Sequence, residues 1–243
     1  MSADAPGSSP PTEPLVVLRR GAGRPVSAGD GVVSRHGLSF GAHYDPERTS
    51  FGALVAHNDD ELEPGVAYGA HEHRDVEILA WVVAGTLVHR GPDGREDAAG
   101  AGTLQYLSAG TGWRHDERAG DDAPLHVVQL WFAPGLDDPP PGDPELRQVP
   151  VDPDAAEVEV AGGDAAPVAL RRAGVSVRVV RPAAGERWRP GPGWWHHVHV
   201  VRGALRAADL VAGPGDDLEV TGEGPVELVA DETGTELLVV TTR

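Results

Sequence analysis

Residues 71–89 read His71-Glu72-His73-Arg74-Asp75-Val76-Glu77-Ile78-Leu79-Ala80-Trp81-Val82-Val83-Ala84-Gly85-Thr86-Leu87-Val88-His89. Ile78–Val83 is an unbroken apolar run of strand length, and Thr86–His89 is another. Ala84-Gly85 lies between them, so the two runs predict a hairpin. Pro92-Asp93-Gly94 follows as a second turn, with proline presetting φ and glycine accepting positive φ. Further runs of the same kind are Leu125–Phe132, Val175–Val180, His197–Val201 and Leu237–Val240. Short Val- and Leu-rich runs split by Gly, Pro and Asp predict an all-β protein of sandwich or barrel type.

The pattern of Trp81-Val82-Val83-Ala84-Gly85 returns as His199-Val200-Val201-Arg202-Gly203. Two tandem β-barrels of related architecture are therefore expected. Between them, Gly135–Pro167 holds seven prolines among many Asp and Gly, a linker composition. The expected layout is a disordered tail over 1–14, a first barrel over 15–134, a linker over 135–167 and a second barrel over 168–243.

The 243 residues carry 20 basic groups, all arginine, and 38 acidic ones, a net charge of −18. Such a charge repels phosphate backbones and argues against direct nucleic-acid binding. There is no cysteine, which excludes disulfides, thiolate metal sites and a cysteine nucleophile. No stretch approaches the ~18 apolar residues of a membrane-spanning helix. Met1–Glu13 has neither a basic start nor an apolar core, so a cytoplasmic location is expected.

Any metal must then be held by imidazole and carboxylate. On a strand, side chains two apart share a face. His71 and His73 therefore point the same way, as do His115 and Glu117 in Ser108-Ala109-Gly110-Thr111-Gly112-Trp113-Arg114-His115-Asp116-Glu117. Glu77 keeps the parity of His71 if the strand is unbroken. Two such strands facing each other inside a barrel would gather three imidazoles and one or two carboxylates. That set suits iron, manganese, nickel, copper or zinc better than magnesium or calcium. His89 reads as a structural strand-end residue, and His57 as a turn residue near Asn58-Asp59-Asp60. The cluster His196-His197-Val198-His199 has no later histidine to complete a site. It reads as a barrel-lining or surface group without metal.

Gly65, five residues, His71-x-His73, three residues and Glu77 resemble the first motif of the cupin superfamily. His71–Glu77 with Ser108–Glu117 is similar to the paired signature of the pirin family, His-Pro-His-Arg-Gly-Phe-Glu and Thr-Ala-Gly-x-Gly-x-x-His-x-Glu. Ser39-Phe40, Tyr44-Asp45-Pro46, Phe51-Gly52-Ala53-Leu54 and Asn58-Asp59-Asp60 also resemble its bacterial, quercetin 2,3-dioxygenase-like branch. The likeness covers about 35–134. Glu72 replaces the motif proline and Asp75-Val76 its Gly-Phe pair.

The resemblance implies a bicupin with one divalent transition metal in the N-terminal barrel alone. Its ligands carry over to His71, His73, His115 and Glu117, with iron(II) first among the metals and manganese, nickel, copper or zinc also accepted. Glu77 becomes an alternative ligand or a residue behind the ligands, and with Glu117 a candidate catalytic base. In the second barrel Arg189, Gly191 and Trp195 stand where His71, His73 and Glu77 would be. The implied activity is a quercetinase-type dioxygenase, taking a flavonol or similar enol or catechol with O2. The other implied role is a non-enzymatic metal protein that regulates a protein partner. Relatives of this kind are generally monomeric.

Overall fold

The computed structural model describes residues 14–163 and 166–243. Nearly all of the expected tail, 1–13, lies outside the described residues. There is no α-helix among the described residues, and none is long and apolar enough to cross a membrane.

Twelve strands lead into and through the first half: β1 (Leu15–Arg19), β2 (Val26–Gly29), β3 (Val32–His36), β4 (Leu54–Leu62), β5 (His71–His73), β6 (Glu77–Ala84), β7 (Thr86–Arg90), β8 (Glu96–Gly100), β9 (Thr103–Ser108), β10 (Trp113–Ala119), β11 (Leu125–Phe132) and β12 (Glu145–Pro150). Ten more complete the chain: β13 (Glu157–Gly162), β14 (Val168–Ala169), β15 (Val175–Val180), β16 (Arg187–Trp188), β17 (Trp195–Arg202), β18 (Leu205–Ala207), β19 (Leu210–Ala212), β20 (Asp217–Thr221), β21 (Leu228–Ala230) and β22 (Glu236–Thr242).

They form two large and two small sheets. The first half pairs the seven-stranded sheet β12-β9-β6-β11-β4-β3-β2 with the four-stranded sheet β5-β10-β7-β8. The second half pairs β1-β20-β17-β22-β15-β13-β14 with β16-β21-β18-β19. Each pair wraps its own apolar interior. Ala80, Val82, Leu87, Ala119 and Val127 fill the first, and Val198, Val200, Leu205, Leu218 and Val239 the second. A third and larger core lies between the two seven-stranded sheets. Leu79, Trp81, Val128, Leu130 and Phe132 meet Val160, Val177, Val179, Leu238 and Val240 there. The large sheets are thus apolar on both faces, which is why β6 and β11 read as unbroken apolar runs.

Gly85 does not close a hairpin. β6 pairs with β9 and β11, whereas β7 pairs with β8 and β10 in the other sheet. At Gly85, φ is 75°, and an added Cβ would lie 2.3 Å from the Pro124 carbonyl oxygen. The glycine lets the chain turn a corner between sheets rather than reverse within one. Gly203 does the same between β17 and β18, with φ 75° and Thr235 in the Cβ position. The repeated pattern therefore marks two equivalent barrel corners. Pro92-Asp93-Gly94 does join an antiparallel pair, β7 and β8.

Two expected boundaries are corrected by the strand pairing. Leu15–Arg19 pairs with Thr221–Asp217 and belongs to the second half's sheet. The stretch 135–167 is more than a linker, because β12 adds an edge strand to the first large sheet and β13 joins the second. The proline-rich segments around these strands masked them. Pro150 is accommodated at the end of the edge strand β12.

Polar pins cross the seam between the halves. Trp81 Nε1 donates to Glu236 (3.1 Å), which also accepts from Arg181 (2.8 Å). Arg202 donates to the Val83 carbonyl at 2.6 Å. Leu130 is 1% exposed at the centre of the seam core. Leu130→Ala is expected to lower unfolding stability by about 2–5 kcal/mol. Urea denaturation checks this, with an unchanged m-value showing that both states keep their compactness.

Candidate metal centre

β10 is the hub of the small sheet. Its first half pairs with β5, placing His115 opposite His71 and Trp113 opposite His73. Its second half pairs with β7, placing Glu117 opposite His89. Side-chain alternation turns His71, His73, His115 and Glu117 to one face.

Ring nitrogens of His71, His73 and His115 all lie within 4.8 Å of one another. His115 Nε2 is 3.0 Å from His71 Nε2, and His73 packs edge-on against both rings. Glu117 forms a second group with His115 and His89. Its Oε1 accepts from Gln105 at 2.6 Å and lies 3.4 Å from His89 Nδ1. His115 therefore belongs to both groups, and the Glu117 carboxylate is turned toward Gln105 and His89. His71 and His73 are half-buried, whereas His115, Glu117 and His89 are buried, so the open side is that of His71 and His73.

The electrostatics suit a cation. Burial, reinforced by the neighbouring His71, lowers His73 to about 4. Burial likewise lowers His115 to about 3, against the attraction of Glu117. Burial opposes ionisation of Glu117, but the hydrogen bond with His89 and the proximity of His115 outweigh it and hold it below the usual range. Neutral imidazoles with free lone pairs beside an ionised carboxylate are the protonation states that a divalent metal requires. The donor set fits a borderline transition metal.

Glu77 is not part of this centre, which corrects its expected place near the metal and as a catalytic base. Asp75 adopts φ 53°, so the strand is broken between His73 and Glu77 and the parity is lost. Glu77 faces the seam instead. It accepts from Tyr106 Oη (2.8 Å) and from the backbone amides of Arg171 and Arg172 (2.9 Å each). Asp75 turns to Arg171 rather than inward. The large aromatic residues Trp81 and Tyr106 also lie in the seam.

Several residues of the centre escaped the sequence reading. His89 is fully buried beside Glu117, and Trp113 Nε1 donates to its Nε2 at 3.3 Å. Its alternation within Thr86–Arg90 was legible, but its partner strand was not. Trp131 packs edge-on against His73, with ring centres 4.8 Å apart, and Phe40 packs on Trp131. Trp131 donates to Gln129, which donates to Tyr68 and, at 3.4 Å, to Asp60.

The sequence profile of the pirin family matches residues 19–132. These residues belong to the pirin family. The bacterial pirin YhhW of Escherichia coli, in a structure described as a complex with nickel(II), has a TM-score of 0.84 and 26% identity. The match covers 94% of this chain and 99% of that one. A further YhhW structure gives 0.86 and 27%, over 94% and 98%. A relative from Escherichia coli K12 named quercetin 2,3-dioxygenase is 42% identical over 102 residues. That match covers 42% of this chain and 44% of the relative, so the pirin region spans less than half the relative's length.

Within the pirin region Asp60 sits 2% exposed, accepting from Tyr68 Oη at 2.7 Å, while its Oδ1 has no partner among the described residues. Burial pushes its carboxyl up to about 6, against the Tyr68 hydrogen bond. A raised carboxyl favours the folded state fully below the unfolded value near ~3.9, and that contribution is lost as pH rises through 6. Asp60→Asn keeps the site neutral. Its stability relative to the parent is expected to rise by about 2 kcal/mol between pH 4 and pH 7. Paired urea titrations across that range check the sign.

Proposed function

We propose that the chain is a metal-dependent dioxygenase of the quercetin 2,3-dioxygenase type, acting on a flavonol or a similar enol or catechol with O2. The observation that carries this reading is the convergence of His71, His73 and His115 beside an ionised Glu117. In this reading those four residues hold one divalent metal, with iron(II) first among the candidates. The nickel(II) of the YhhW structure and the dioxygenase name of the Escherichia coli relative support the metal and the reaction class.

A metal bound there supplies Lewis acidity that lowers the pKa of a substrate hydroxyl. The chain's own residues do the rest. Glu117 Oε accepts the hydroxyl proton, and Gln105 and His89 orient the carboxylate for it. Trp131, edge-on against His73, and Phe40, edge-on against Trp131, offer an apolar wall for a flat aromatic ring on the open side of the centre. The first barrel carries the chemistry. The second has Arg189, Gly191 and Trp195 at the corresponding positions and, among the described residues, no counterpart of this centre.

Metal content and oxygen uptake with quercetin test the reading on protein loaded with iron(II), manganese(II) or nickel(II). Near-stoichiometric metal and quercetin-dependent uptake are expected in the parent. His73→Ala is expected to reduce both, with activity falling about 100-fold or more. Metal retained in the parent without uptake on any flavonol would overturn the dioxygenase reading and favour a regulatory metal protein.

A further inference from the structure

A second group of donors lies in the seam between the two large sheets. β17 sends Val198 and Val200 into the second barrel and His197 and His199 into the seam. β20 pairs with β17 and contributes Asp217, opposite His199. β4, from the other half, contributes His57. The side chains of His57 and Asp217 are 0% exposed, that of His199 1% and that of His197 2%.

One donor atom each of His57, His199 and Asp217 lies within 4.8 Å of the other two, and His197 borders the group. His57 Nδ1 lies 3.2 Å from His197 Nε2 and 3.6 Å from Asp217 Oδ2. Asp217 Oδ1 lies 3.5 Å from His197 Nε2 and 2.8 Å from His199 Nδ1. Ligands around a divalent ion at bond lengths of ~2.1 Å are themselves about 3.0–3.4 Å apart in octahedral or tetrahedral geometry. The same spacing occurs at His71 and His115 in the first barrel.

The bare cluster satisfies its own protons poorly. His57 Nε2 and His197 Nδ1, the outer nitrogens, are buried and have no partner among the described residues. A proton on either outer nitrogen is therefore stranded. Protons on both inner nitrogens would oppose each other across 3.2 Å. A cation between the rings takes up both inner lone pairs without that opposition, and leaves each ring proton on its outer nitrogen. Burial, partly offset by Asp217, lowers His57 to about 3 and also lowers His197, so both rings have a lone pair to give. Burial opposes ionisation of Asp217, but His197, Arg24 and His57 hold it well below the carboxylate range. Arg24 donates to Asp217 Oδ2 at 2.6 Å and leaves Oδ1 facing the imidazoles.

We propose a second metal site, formed by His57, His197, His199 and Asp217, that binds a zinc-like divalent transition metal between the two halves. It draws ligands from both halves, so its metal fastens the seam. A cleft of about 710 Å³ between the halves reaches Asp217 past Arg24 and Arg48, and gives the ion a route in. Nothing in this proposal depends on the first centre being occupied.

Equilibrium dialysis of the full chain with cobalt(II), read by metal analysis and visible absorption, tests the proposal. Two equivalents are expected for the parent and one for His71→Ala/His73→Ala. In the latter background, adding His57→Gln or His197→Gln is expected to weaken the remaining equivalent at least 10-fold. Cobalt(II) should also raise the melting temperature of His71→Ala/His73→Ala and not that of the added variants. Circular dichroism of each metal-free variant establishes folding, and either added variant suffices if the other does not fold. A folded His71→Ala/His73→Ala protein that binds no cobalt(II) would overturn the second site. So would a remaining equivalent indifferent to both His57 and His197. If the first centre alone is misread, the parent binds one equivalent, and its loss follows His57 rather than His73.

Discussion

The two large sheets are buried on both faces, and this constraint organises the molecule. Each central strand must serve two cores at once. β6 gives Ala80 and Val82 to its barrel and Leu79 and Trp81 to the seam. β17 gives Val198 and Val200 to its barrel and His197, His199 and Val201 to the seam. Burial of this kind leaves little room for polar groups, and two carboxylates on the seam are paired closely. Glu77 gathers two backbone amides and a phenol, and Glu236 an indole and a guanidinium. The small sheets are different. Each has one face on a barrel interior, and the metal-type residues of the first barrel are on its small sheet, where β5 and β10 meet.

The all-β class was legible from the apolar runs, and the kinship of the two halves from Gly85 and Gly203. Grouping His71 with His73, and His115 with Glu117, needed only the two-residue period of a strand. Their meeting needed the pairing of β5 with β10, which the family resemblance implied and the register shows. Glu77 was misplaced because a single positive φ at Asp75 resets the alternation, and side-chain chemistry alone does not announce that break. His89 and Trp131 were obscured for another reason. Both sit in apolar strands whose neighbours are distant in sequence, and nothing local separates such a residue from core packing.

The same limit hid the polar side of the seam. His57 and His197 are 140 residues apart, and only the docking of the two large sheets brings them together. Read along the chain, His196–His199 lacked a further histidine downstream. The missing partner lies upstream, in the other half. The pairing of β1 with β20 was invisible for the same reason, since Leu15–Arg19 looks like the first strand of whatever follows it.

That pairing has a consequence for the architecture. The chain lays a strand on the edge of the second half before it builds the first, so the two halves are interlocked rather than strung in series. Separating the halves by a cut between β12 and β13 would take β1 from β20, leaving it only β17, and open a fresh sheet edge with unpaired amides and carbonyls, an invitation to strand exchange between molecules. The seam is thus guarded topologically as well as by packing. Evolution of the second half toward independence would first require a new way of covering that edge.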